Sequence, residues 1–427
     1  MWLYVDFIAA RCRCQLAMPV RMDQVPALAM RPARPRMWRW LGLLMLFLLL
    51  GGGGAWLFST EPTGRQSLMF WGFALGASFL GWGVLSFARV LVYLGKQHAA
   101  DGWDEAREHD LMQRVLQGRR ALEVLSVSLH TALRKPDESP TAQVDALLGG
   151  IKALKAQPAR RDSVTLRHSR LAGDVSEDPE PALLRTLVQL FIELAPSLKQ
   201  LPDETQLAVL LEVETGLLDR AWDRVWQQAL SKSGIRQTFI AVEGCGLHAV
   251  DQWLDERSDD QALLLVIAVH FAPKQPEATG EVVVGLLLGN RLTQTTLSPV
   301  AVLHRPELEQ QPSAEALSYA VTQALNWGPE DATSVRHVWR AGIEAQRHAT
   351  LNTVLGEVPM SVTRDQGILD LDTLLGHSDK AAPWLAIAAA TQTMQGGAGP
   401  QFIFSGSGCA DAELWSTAMT PVLPLST

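Results

Sequence analysis

The chain has 427 residues, 47% of them hydrophobic, and a formal net charge of −8. An acidic balance with no sustained basic run after Lys96 excludes a nucleic-acid partner, because phosphate binding requires clustered Lys and Arg. The 4 cysteines are too few and too scattered for a disulfide framework. Cys12 and Cys14 find no second pair to complete a zinc site, so neither a metal nor a cofactor is expected.

Residues 1–36 are arginine-rich and aperiodic and read as a disordered basic leader, with Met37 as an alternative start. Trp40 to Phe58 and Leu68 to Ala88 are then two uncharged runs, each near the roughly 20 residues that cross a bilayer as a helix. Only the short stretch from Ser59 to Ser67 separates them, so residues 37–96 predict a transmembrane hairpin. A cleaved signal peptide is the competing reading of the first run, but a secreted product has no use for the second. Arg31, Arg34, Arg36 and Arg39 precede the first run and Arg89 and Lys96 follow the second. By the positive-inside rule both flanks lie in the cytoplasm. The four glycines Gly51 to Gly54 sit inside the first span and imply a kink or close helix packing, while Gly72, Gly76 and Gly83 form a small-residue face on the second.

Residues 97–200 read as a helical connector. Leu111, Val115, Leu116, Leu122, Leu125 and Leu129 recur at helical spacing from Asp101 to about Leu133. Lys135 to Asp178 is rich in Pro, Ser, Asp and Arg, and Pro181 to Leu198 returns to helical periodicity.

From Thr205 the pattern changes to continuous apolar strands between amphipathic helices, the mark of a sheet buried on both faces. The strand-like TQLAVLLEVE, TFIAVEG, ALLLVIAVHFA and EVVVGLLLGN are separated by helical segments beginning near Gly216 and Cys245. A second series follows: a helix at Ala314 to Leu325, a strand at Val335 to Trp339, a small-residue helix at Ala381 to Met394, and strands at Gln401 to Gly406 and around Thr420 to Leu423. Glu212, Glu214, Glu243 and Asp251 read as scattered carboxylates, and Ser405 to Cys409 lacks the frame of a nucleophile elbow.

Gly376 and His377 followed by Ala381 and Ala382 resemble the G-H-x-x-G-A-A-G signature of β-ketoacyl synthases and other thiolase-fold proteins, with Lys380 and Pro383 in place of the later glycines. The nucleophile turn of that family resembles A-C-x-S-G-L-H-A; here Gly246, Leu247, His248 and Ala249 match and Cys245 lies two positions too close. Glu344 to Thr353 resembles E-A-H-G-T-G-T around His348, with Ala349 and Leu351 where the glycines belong. The family's lysine five residues before the G-H histidine is Asp372, which reverses the charge beside the imidazole.

The resemblance implies a thiolase-like layered α/β domain over residues 201–427, with Cys245, His348 and His377 as catalytic or vestigial positions. Each match departs from the pattern, so the expected function is a membrane-anchored, catalytically inactive adaptor or assembly protein of a bacterial envelope or secretion system, such as type VI. A membrane-associated acyltransferase or condensing enzyme with Cys245 as nucleophile is the alternative. The expected setting is the bacterial inner membrane, with two spans, a cytoplasmic C-terminal domain, and protein partners or a second copy of the chain.

Overall fold

The computed structural model describes residues 20–58, 68–135, 138–160, 164–173, 177–362, 367–406 and 414–422. The chain divides into two compact units, Arg21–Val115 and one that takes in Leu116–Thr427.

The first unit holds helix α1 (Met37–Phe58) and most of helix α2 (Leu68–Gly118). The two apolar segments pack where side chains are small. A Cβ on Gly51 would lie 1.8 Å from the Ser78 hydroxyl, and one on Gly81 would lie 3.3 Å from Phe47. Trp82 Nε1 donates to the Trp40 carbonyl at 2.9 Å. Gly51 therefore serves close helix packing. Gly72, Gly76 and Gly83, by contrast, meet nothing within 4 Å. The described part of the basic leader makes contacts with α2. Arg31 pairs with Asp101 and Asp104 on the polar continuation of α2, and Trp103 Nε1 donates to the Ala27 carbonyl at 3.1 Å.

The second unit begins where α2 ends. A Cβ at Gly118 would overlap the Trp327 ring at 2.3 Å, so the helix stops against that indole. Strand β1 (Ala121–His130) follows, then α3 (Pro140–Leu148) and a separate hairpin of β2 (Lys155–Pro158) and β3 (Thr165–His168). Next come α4 (Pro179–Leu198), β4 (Leu207–Thr215), α5 (Asp219–Ser233), β5 (Phe239–Ala241), α6 (Gly246–Glu256), β6 (Leu263–Phe271) and β7 (Val282–Asn290). The chain continues through β8 (Ala301–His304), β9 (Glu307–Leu308), α7 (Ala314–Trp327), β10 (His337–Ala341), α8 (His348–Glu357), β11 (Ile368–Asp370), α9 (Leu371–Leu375), α10 (Ala382–Gln395), β12 (Gln401–Gly406) and β13 (Leu414–Pro421).

The main sheet runs β11-β10-β12-β13-β8-β1-β7-β6-β4-β5, with β9 added on β13. It is an internal repeat. In the first half β1, β4, β5, β6 and β7 are arranged third, second, fourth, fifth, first; in the second half β8, β10, β11, β12 and β13 are arranged the same way. In each half the second strand is parallel to the third and fourth, and the fifth is antiparallel to both its neighbours. The two first strands, β1 and β8, pair antiparallel and join the halves.

Strand alternation distributes the apolar residues into layers. On β6, Leu264, Val266 and Ala268 face a middle layer with α6 and α10, while Leu263, Leu265, Ile267 and Val269 face α4 and α5. On the second half, Val338, Phe402 and Phe404 face α7 and α8. The result is five layers, α/β/α/β/α. Helix α10 lies in the middle one and is buried from Ala382 to Met394, which is why it is apolar on all sides and built from alanines. Helix α4 is one of three described helices long and apolar enough to cross a membrane, but its Leu183, Leu187, Leu190 and Leu194 are packed into the outer layer.

The helical connector expected over 97–200 requires correction, because β1, α3 and α4 are parts of this unit. Leu122, Leu125 and Leu129 mimic helical spacing for a physical reason. A bulge between Val124 and Ser126 re-phases β1, and both faces of the strand are covered, so the alternation is lost.

Candidate functional site

The turn into α6 carries Cys245, which caps the helix with extended backbone (φ −143°, ψ 146°) and is 3% exposed. Gly244 has φ +133°, and a Cβ there would lie 3.1 Å from that of Ala249, so the turn needs glycine. A helix N-terminus lowers a thiol's pKa and offers amides to an oxyanion. Here the Gly246 amide donates to the carboxylate of Glu212, a buried residue of β4. The first amide of α6 is thereby engaged by a carboxylate and is not free to stabilise an oxyanion at this turn. In the first turn of α6, His248 meets Trp415 edge-on, with centroids 4.7 Å apart.

His348 opens α8. Its neighbour Arg347 is buried and paired with Glu309, and Glu309 also accepts from the Leu414 amide at 3.1 Å. The half-buried His348 is thus set by the anchoring of Arg347.

The Gly376–His377 turn is a backbone joint between the halves. Gly376 has φ +97°, and a Cβ there would lie 2.5 Å from the Thr279 carbonyl carbon. The His377 amide donates to the Ala278 carbonyl at 2.9 Å, and the Gly280 amide donates to the His377 carbonyl at 2.8 Å. The imidazole is 47% exposed, with Nδ1 3.6 Å from Asp372. Asp372 also accepts from the Gly342 and Ile343 amides, at 3.0 Å each. Burial raises its pKa, and His377 partly offsets the rise.

Beyond the turn lies a group that sequence reasoning missed. His270, at the end of β6, is fully buried, and its Nδ1 is 2.7 Å from the Gly280 carbonyl. Its Nε2 is 3.4 Å from Asp379, which has φ +39° in the 3-10 turn Asp379–Ala381. Glu214 completes the group, with one ligand atom from each residue lying within 4.8 Å of the others. Burial opposes charge on His270, but Asp379 and the Gly280 carbonyl outweigh it and raise the pKa; His270 in turn lowers that of Asp379. Glu212 and Glu214, read as scattered, share β4 and its inward face. The available signal was His270 itself, a lone ionisable residue inside a continuous apolar strand. Ser407 to Cys409 lie outside the described residues, as do Cys12 and Cys14.

By sequence the chain matches no protein-family model and no curated protein. Its structure is similar to the ketosynthase from module 6 of the bacillaene synthase of Bacillus subtilis, at TM-score 0.50 and 12% identity over 71% of this chain and 72% of that one. It is also similar to a ketosynthase domain of the Streptomyces albus oxazolomycin system (TM-score 0.47, 10% identity, 72% and 75% covered). OleA from Xanthomonas campestris bound to cerulenin is a further neighbour (TM-score 0.42, 9% identity, 70% and 96% covered). The chain has a thiolase-like fold. In this thiolase-like unit Cys245 occupies the strand-to-helix turn of the first half and His377 the corresponding turn before α10 of the second.

Proposed function

We propose that this is a membrane-anchored thiolase-like protein that has given up the cysteine chemistry of condensing enzymes and works through protein contacts, as an adaptor or assembly component of a bacterial envelope or secretion system. The observation that carries the reading is the Glu212 carboxylate on the Gly246 amide, beside a buried Cys245. Fold alone does not preserve chemistry. The departures at Lys380, Pro383, Ala349 and Leu351 support the same conclusion.

The test is labelling of full-length protein with a thiol-reactive acyl analogue. Slow modification, no different in Cys245→Ala, is expected, and Cys245→Ala is expected to keep the protein's cellular role. Rapid Cys245-dependent modification at neutral pH, abolished by His377→Ala, would restore the alternative of a membrane acyltransferase or condensing enzyme.

The hairpin is proposed to lie in the inner membrane with both flanks cytoplasmic, on the strength of Arg34, Arg36 and Arg39 before the apolar part of α1 and Arg89 and Lys96 on α2. Reporter fusions at Thr63 and Thr427 test it. Cytoplasmic reporter activity is expected at Thr427 and periplasmic activity at Thr63, and the reverse pattern would refute the arrangement.

A further inference from the structure

We propose that Glu214, His270 and Asp379 hold a divalent first-row transition-metal cation, which clasps the turn before α10 to the ends of β4 and β6. A carbonyl oxygen only accepts, so the contact of His270 Nδ1 with the Gly280 carbonyl places the ring proton on Nδ1. In the neutral ring, Nε2 then carries a lone pair directed at carboxylates. Nε2 is buried and makes no hydrogen bond of good geometry, the Asp379 carboxylate being an ion-pair neighbour only. Its 3.4 Å separation from Asp379 Oδ2 is longer than a charge-assisted hydrogen bond of about 2.8 Å. It matches the edge of a coordination tetrahedron with bonds near 2.0–2.1 Å, about 3.3–3.4 Å.

A metal-bound histidine usually has its other ring N–H held by a backbone carbonyl or carboxylate, and the Gly280 carbonyl holds Nδ1 in that way. Two carboxylates facing one imidazole also leave an excess of negative charge that a divalent ion balances. Imidazole with carboxylates favours ions such as Zn²⁺ over Mg²⁺ or Ca²⁺. Asp379, with its side chain 53% exposed, provides the entry path from solvent. The three ligands come from β4, β6 and the turn Asp379–Ala381, so the ion bridges the two halves of the repeat. None of the three ligands depends on whether Cys245 reacts.

The experiment uses tag-free, full-length protein in detergent micelles, stripped with a chelator and titrated with Zn²⁺. One equivalent is expected to bind, with a rise in the unfolding midpoint that chelator reverses. Glu214→Gln and Asp379→Asn are each expected to weaken binding by at least about tenfold, while Glu256→Gln, at the far end of α6, leaves it unchanged. Affinity is expected to fall as pH is lowered, because His270 must give up its second proton. Absence of saturable binding, or binding unaltered in Asp379→Asn, overturns the proposal. Asp379 is half exposed, so that variant answers the question even where Glu214→Gln fails to fold.

Discussion

Arg305→Ala is expected to cost the thiolase-like unit about 3–5 kcal/mol, the range for removing one partner of a buried ion pair. The guanidinium is 1% exposed, and its Nη2 lies 2.7 Å from both Asp251 and Asp255. Nη1 donates to the Gln117 carbonyl at 3.2 Å, so the one side chain joins β8, α6 and the end of α2. Without it the buried carboxylates lose their cation. Burial already pushes Asp251 up to about 6 and Glu307 up to about 7, with Arg305 among the groups that hold them down. A carboxyl raised in the folded state contributes stability below its ordinary pKa that is lost as pH rises through the folded value. Removal of Arg305 raises these values further, so the deficit in unfolding midpoint is expected to be larger at about pH 8 than at about pH 5. Equal deficits at the two pH values would contradict this account.

Gly376→Ala is expected to cost more than about 4 kcal/mol and to reduce the yield of folded protein, because two effects combine. A φ of +97° is strained for any residue with a Cβ, and the added atom would lie within 2.8 Å of the Gly280 amide nitrogen and closer still to the Thr279 carbonyl. The obstacle is backbone, which has no rotamer to escape into. Relief requires breaking the hydrogen bonds from His377 to Ala278 and from Gly280 to His377, and with them the placement of Asp379 against His270. Gly356→Ala is the control: it lies within α8, and a Cβ there meets nothing within 4 Å. That substitution is expected to be neutral or slightly stabilising. Limited proteolysis and thermal unfolding of the two variants provide the comparison, and a Gly376→Ala protein that melts with the parent would mean that the joint accommodates a Cβ.

Local pattern was enough for several features of this protein. Two uncharged runs are each long enough to cross a bilayer as a helix, and α1 and the start of α2 occupy them. Continuous apolar strands require a sheet covered on both faces, and β4, β6 and β7 are such strands. The Gly376–His377 step and its alanine-rich helix mark a close backbone joint, which the approach of Gly376 to Thr279 explains. Tertiary structure alone decided the rest. Strand β1 lies far upstream of the strands it joins, and its bulge hides its period, so only pairing with β7 and β8 reveals it. Glu214, His270 and Asp379 belong to separate elements and carry no common spacing. Periodicity records which face of an element is covered, whereas the meeting of these three side chains depends on strand order and on the turn that brings the second half of the repeat over the first.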